Sequence, residues 1–399
     1  MAEPLRLHWA ALILVLSGPA LESMVAAPVA PALPAIAERF AAYGDGPFLA
    51  QLAMTVPAIV AVVGAPLAAA LAQRIGLRLT LIGCLALFLV AGLIPAAAPG
   101  FELFVAARTV LGFAAGGIST CYLMAAASNF DGDARERVLG FCVASGSIAA
   151  VASSNIGGLL AQDFGWSGPF LIYAATLPIL VLALWAHDWS PASDRAAQAE
   201  LESHAWLPAL RAVGLIYLLL LLLSICLFLP PTQGPFLLKD GGVDSPAVQG
   251  TLLSMTTLLS TVAALGFGYV RRVLTSTQTL ALTCLLLGGG FLVLSLVHGT
   301  LAFGIVLALV GLGQGLVFPN VSSMVLQRVP ESLRPQAAGM LSSTLFLALF
   351  LAPTATNIIR TQLGIAAVFQ VVGVIVLVVG LGAVIRGRRP PVPASASAE

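Results

Sequence analysis

Apolar runs of roughly twenty residues recur from one end of the chain to the other, separated by short polar breaks. Runs of that length cross a bilayer as α-helices. They predict spans near residues 7–31, 48–73, 79–98, 101–127, 138–162 and 168–187, then 210–231, 247–270, 278–297, 300–326, 337–359 and 364–386. The strands of a membrane barrel would instead alternate over segments of roughly ten residues. The pattern therefore predicts an all-α membrane protein with twelve transmembrane helices, and an even count puts both termini on one side.

Composition agrees with the pattern. Of 399 residues, 59% are hydrophobic and 9% charged, with mean hydropathy +1.02, whereas a soluble chain carries about 25% charged residues. The length thus does not imply two or three soluble domains, and a net charge of +1 offers no basic face to nucleic acid. Arg6 followed by an apolar run and "VAAPVAPA" resembles a secretory leader. The run is long for one and carries Glu22, so a retained first helix is expected. The five cysteines, Cys84, Cys121, Cys142, Cys226 and Cys284, all fall in apolar runs without a CxxC spacing and read as small buried hydrophobes.

Arginine placement gives the spans a direction. With the termini inside, Arg6, Arg74, Arg78, Arg135, Arg137, Arg195, Arg211, Arg271, Arg272, Arg328, Arg334, Arg386, Arg388 and Arg389 are cytoplasmic, and only Arg39, Lys239 and Arg360 are outside. That asymmetry has the sense of the positive-inside rule. Arginine outnumbers lysine seventeen to one and alanine is abundant, as in a high-GC bacterial gene, which points to the bacterial inner membrane.

The polar stretch at 186–208 is the long internal loop, and an internal repeat supports a division there. A shift of 199 residues sets Gly112 on Gly311, Gly116 on Gly315, Arg135 on Arg334, Gly140 on Gly339, Gly165 on Gly364 and Phe170 on Phe369. Parallel repeats related by an axis along the membrane normal are expected. The predicted divisions are a six-helix half over 1–187, a cytoplasmic linker over 188–209, a second six-helix half over 210–386 and a disordered tail over 387–399.

The loop between spans 2 and 3 reads "AALAQRIGLRLTL", residues 69–81. It resembles the GxLaDrxGrkxxl motif of major facilitator superfamily transporters through Leu71, Ala72, Arg74, Gly76, Arg78 and Leu81, with Ala69 for Gly and Gln73 for Asp. Arg108 and Gly112 resemble that family's RxxqG motif in span 4. Gly140, Ala149, Ser153, Ser154, Gly157 and Gly158 follow the small-residue antiporter pattern of span 5, with Ser-Ser for Gly-Pro. "PALPAIAERF" after span 1 and "GLGQGLVFPNVSSMVLQRVPESLR" from span 10 look most like the drug:proton antiporter branch. The resemblance covers nearly the whole chain and implies the major facilitator fold, alternating access and a monomer. It also implies a gating role for Gln73, Arg74, Gly76 and Arg78. Gly140, Ser153, Ser154, Gly157 and Gly158 are expected to pack helices closely, as small residues do in lipid.

Within this frame two embedded charges stand out, Glu22 in span 1 and Arg108 in span 4. Such charges are costly in a bilayer and face a cavity or a partner. Glu22 lies roughly 13 Å and Arg108 roughly 10 Å from the outer ends of their spans, at 1.5 Å per residue. The resemblance puts both spans on a central cavity, where the two could meet. Desolvation disfavours a charged carboxylate and a nearby cation favours it, so small movements would switch proton occupancy at Glu22. The alternative is a static pair holding two spans together. Candidate cavity residues are Met24, Gln51, Met54, Asn155, Phe228, Gln233, Met255, Gln314, Phe318, Asn320, Phe346 and Asn357. An apolar cavity with one acid suits a lipophilic or cationic substrate better than a sugar. Pro19, Pro28, Pro31 and Pro34 in span 1 and Pro230, Pro231 and Pro235 in span 7 predict that both helices break near the outer face.

No GxxxxGK[ST], HExxH or GxSxG motif occurs, so nucleotide-driven pumping, an enzyme, a metal site and a cofactor are not expected. Two functions remain: proton-coupled export of lipophilic or cationic small molecules, or uptake or facilitated transport of a small organic anion through Arg108.

Overall fold

The N-terminal crossing is interrupted, and the interruption shapes the rest of the molecule. In the computed structural model, which describes residues 3–97, 100–130, 132–186, 206–330 and 334–387, helix α1 (Glu3–Ser23) ends in turns over residues 24–29. A 3-10 turn (Ala30–Ala32) then leads into α2 (Leu33–Arg39). The chain continues through α3 (Gly46–Ile75), α4 (Leu77–Ala97), α5 (Phe101–Asn129) and α6 (Gly132–Phe164). A 3-10 run (Gly165–Ala175) and α7 (Thr176–Trp185) complete the first half. The second comprises α8 (Trp206–Asp240), α9 (Pro246–Leu265), α10 (Phe267–Val273), α11 (Ser276–Leu294), α12 (Thr300–Leu326), α13 (Arg334–Leu363) and α14 (Ile365–Gly387). The predicted linker and tail fall almost wholly outside the described residues.

Among the described residues, ten stretches are long and apolar enough to cross a bilayer. One of them, Ala134–Trp185, has 52 residues, about 78 Å as a helix against a hydrocarbon core of about 30 Å. It turns back at Gly165, whose φ of +71° suits glycine, and so crosses twice. With the interrupted first crossing the total is twelve, as the hydrophobic pattern predicts. Sequence signals set the helix starts: Asp45 accepts from Phe48 N at α3, Ser245 from Val248 N at α9, and Thr275 and Gln278 form a capping box at α11.

The 199-residue repeat reappears as repeated contacts. A Cβ on Gly112 would meet the Pro57 carbonyl oxygen at 2.4 Å, and one on Gly311 would meet that of Thr256 at 2.5 Å. Gly116 faces the Ala61 carbonyl as Gly315 faces that of Ser260. In both pairs the partner residues are themselves 199 positions apart. Phe170 and Phe369 each pack edge-on against a phenylalanine, Phe104 and Phe291, though these two partners are not at the repeat offset. Each half has its own apolar core, and the halves meet where α6 packs on α9 and α3 on α13.

One predicted feature is overturned. Span 7 does not break at its prolines: α8 runs unbroken past Pro230, Pro231 and Pro235 to Asp240.

Candidate functional site

Proline has no N–H, so it leaves the carbonyl four residues earlier without its helical partner, and in lipid that oxygen must find another donor. Four such carbonyls organise the centre of this molecule. Pro57 in α3 frees Ala53 O, which accepts from Arg108 Nε at 3.1 Å. Pro230 and Pro231 in α8 free the carbonyls of Cys226 and Leu227, which accept from Gln314 Nε2 at 3.5 and 3.0 Å. That substitution of donors is why α8 survives two adjacent prolines. Pro19 in α1 frees Val15 O, which faces the Cys142 thiol at 3.8 Å.

Arg108 does more than replace one donor. Its Nη2 donates to Val25 O at 2.6 Å, a carbonyl in the turns after α1, and to Met54 O at 3.3 Å. Its Nη1 donates to the Tyr173 hydroxyl at 2.8 Å, and that hydroxyl donates to Met24 O at 3.0 Å. The guanidinium is fully buried and ties α5 to α3, to the break after α1 and to the 3-10 run before α7. The expected Glu22–Arg108 pair is therefore not formed. A continuous helix beyond Glu22 would bring the two to similar depth, but the chain leaves helical geometry at Met24. The carbonyls released by that break and by Pro57 occupy the arginine instead.

Glu22 turns the other way. The Ser119 hydroxyl hydrogen-bonds both the Glu22 carboxylate and the Tyr122 hydroxyl, and Tyr122 packs on α1 at Gly18, where a Cβ would meet the ring at 2.3 Å. The carboxylate lines a cavity of about 270 Å³ between the two halves. Among the described residues no other Asp or Glu lines it, and Arg108 does not. Its polar groups also include Ser154, Thr256, Thr257 and Gln314, while Met54, Phe228, Pro230, Pro231, Leu227 and Leu253 supply apolar surface. The Thr256 hydroxyl has no hydrogen-bond partner among the described residues.

Of the predicted cavity residues, Met54, Phe228 and Gln314 line this space and the others do not. Gln51 and Gln233 form a reciprocal amide pair at 2.8 and 3.2 Å, and Gln233 also donates to Thr356 at 2.7 Å. This buried layer ties α3, α8 and α13 together one turn beyond Pro230. Asn155 accepts from Thr251 across the α6–α9 contact, Asn320 donates to Ser276 O, and Asn357 accepts from Arg360. Met24 and Met255 pack on the cores of their own halves. Phe318 is 38% exposed, and Phe346 lies outside the lining. Sequence reasoning missed Tyr173 and Thr256, whose roles come from carbonyl geometry and packing.

The helix-packing residues divide in the same way. Ser154 donates to Gly250 O at 3.1 Å across the halves. Gly157 lies against Pro28 O, and Gly158 against Pro246 O. Ser153 is buried, but Gly140 has open space where a Cβ would stand, because it lies towards the start of α6, away from α9. In the gating loop Gln73 and Arg74 are exposed at the end of α3, and Gly76 turns the chain with φ +90°. Arg78 donates to the carbonyls of Ala183 and Leu184 at 3.3 and 2.7 Å, capping the end of α7.

At the face away from the chain termini the halves are latched. Glu38 pairs with Lys239 and Asp45 with Arg360, and Ser245 donates to Gln162 at 2.8 Å. The cavity lies beneath the glutamine layer and this latch.

Comparison with known proteins agrees with this architecture. The Major Facilitator Superfamily profile matches residues 15–353 and 244–399. The multidrug resistance protein MdtL of Escherichia coli is 28% identical over 315 residues, 76% of this chain and 77% of that protein. The chloramphenicol resistance protein of Streptomyces lividans is 34% identical over 109 residues, 27% of this chain and 28% of that one. The crystal structure of the nucleoside transporter NupG superposes with a TM-score of 0.77 over 96% of this chain and 100% of that one, at 13% identity. With twelve crossings in two repeated halves around a central cavity, the chain is a multi-pass membrane transporter of the Major Facilitator Superfamily, not an enzyme.

Proposed function

We propose that this transporter exports lipophilic or cationic small molecules in exchange for protons, with Glu22 binding the proton and the substrate alternately. The observation that carries the reading is the place of Glu22, among the described residues the one carboxylate on a largely apolar cavity between the halves. A cation and a proton compete for such a group, so a change of access that favours one expels the other. MdtL and the chloramphenicol resistance protein, whose names speak of drug resistance, support efflux as the direction. The reading has the termini cytoplasmic, on the arginine asymmetry, in a bacterial inner membrane, and a monomer of two halves over 1–187 and 210–386. The latched face is then the outer one, and Gln73, Arg74, Gly76 and Arg78 act at the opposite gate.

The anion carrier centred on Arg108 loses its support. That guanidinium is buried, committed to three carbonyls and a tyrosine, and absent from the cavity wall. The test is the purified protein in liposomes holding a pH-sensitive dye. A panel of lipophilic cations should drive proton movement in the wild type and none in Glu22→Gln. Flux of small organic anions with no proton signal would overturn the reading.

A further inference from the structure

A second cavity, of about 690 Å³, opens on the lipid-facing side of the C-terminal half, near the chain termini. It shares no lining residue with the central one. Leu215, Leu218, Leu219 and Leu222 of α8 form one wall, and Val379, Gly382 and Ala383 of α14 the other. Thr277 at the start of α11 and Arg328 just past the end of α12 close its polar end.

The repeat explains why this groove is open. In the N-terminal half the residue equivalent to Thr277 is Arg78, which bridges α4 to the Ala183 and Leu184 carbonyls. Those two residues are the equivalents of Gly382 and Ala383. The long side chain spans the crevice in the first repeat, and the short threonine leaves it empty in the second. The cation has moved as well: Arg328 stands where the first half has Asn129. Its guanidinium makes one hydrogen bond among the described residues, from Nη1 to Met324 O in its own helix, at 3.0 Å. Between residues 245 and 398 the sequence has one acidic residue, Glu331, which lies outside the described residues.

We propose that this groove binds one anionic phospholipid of the leaflet on the termini side. Its acyl chain lies between α8 and α14, and its phosphate rests on Arg328 with the Thr277 hydroxyl beside it. A leucine-walled groove at membrane depth is matched by acyl chain, and a cation at its interfacial end by a phosphate that carries net charge. A zwitterionic lipid meets the same walls but gains less from the arginine.

The test is native mass spectrometry of the full chain, purified with equal amounts of phosphatidylglycerol and phosphatidylethanolamine bearing the same acyl chains. One phosphatidylglycerol should be retained in about fivefold preference, the factor expected from one arginine at an anionic headgroup. Arg328→Gln should remove the preference, Arg328→Lys should keep most of it, and Gly382→Leu, which fills the groove, should lose both lipids. Each variant is checked for folding by its unchanged elution and melting. Equal retention of the two lipids by the wild type, or an unchanged preference in folded Arg328→Gln, overturns the proposal.

Discussion

At Pro57 the backbone has no N–H to offer the Ala53 carbonyl, and Arg108 supplies the missing donor. That one substitution of donors reassigns the residue, from a partner in coupling to a brace between α5, α3 and the break after α1. Replacing it with leucine should leave several buried carbonyls unsatisfied, at about 1–3 kcal/mol for each group, and should lower the melting temperature of the purified protein by many degrees. Tyr173→Phe, which removes one hydroxyl from the same cluster, should lower it by a smaller amount. Glu22→Gln should melt near the wild type, because its carboxylate faces the cavity rather than the brace. A melting profile in which Glu22→Gln falls as far as Arg108→Leu would contradict this division of roles. Glu22 could be singled out from the sequence because a carboxylate inside an apolar run has few bland explanations. Arg108 could be singled out too, but its partners could not. They are main-chain oxygens, exposed by a proline on another helix and by a break inside the predicted first span, and no side-chain pattern records them.

Among elements, prolines and glycines decide how the helices run and how closely they approach. Pro230 and Pro231 read in the sequence as a break in span 7, yet α8 continues because Gln314 of α12 donates to both freed carbonyls. Gln314→Leu should restore the predicted break, seen as faster amide exchange around residues 226–231 with little change elsewhere in α8. Glycines at the repeat offset were legible as a pattern but not as a mechanism. Their reason is the approach of α5 to α3 and of α12 to α9, close enough that a Cβ on Gly112 or Gly311 would stand within 2.5 Å of a carbonyl oxygen. Gly311→Ala should therefore cost about 1–3 kcal/mol by overpacking, and Gly140→Ala, at a site with open space, almost nothing. Equal losses in chemical denaturation would remove the close approach as the explanation. The span boundaries themselves were readable to within a few residues nearly everywhere, because bilayer thickness fixes the length of each run. The exceptions are the first crossing, where α1 stops at Ser23 inside the predicted span, and α8, which extends past its predicted end because its outer turns pack into the latch rather than lie in water.

For the molecule as a whole, the account requires the two halves to part on the latched face. Glu38 with Lys239, Asp45 with Arg360 and the Gln51–Gln233–Thr356 layer hold that face shut, and these pairings were not legible in the sequence because each joins residues far apart in the chain. A cysteine placed at Phe228, in the cavity wall, should resist a membrane-impermeant maleimide applied to that face, and the five native cysteines are all buried. Combining it with Lys239→Gln and Arg360→Gln should raise the labelling rate several-fold. The claim on which everything else depends is that one carboxylate in the central cavity exchanges a proton for the substrate. It is tested most directly by calorimetric titration of the purified protein with a lipophilic cation, in two buffers of different ionisation enthalpy, which yields the protons released for each substrate bound. The account predicts proton release by the wild type, with affinity weakening by up to about tenfold per pH unit on the acid side of the Glu22 titration. It predicts no release and a flat pH profile for Glu22→Gln. Binding without proton release in the wild type, or the same release from Glu22→Gln, would contradict it.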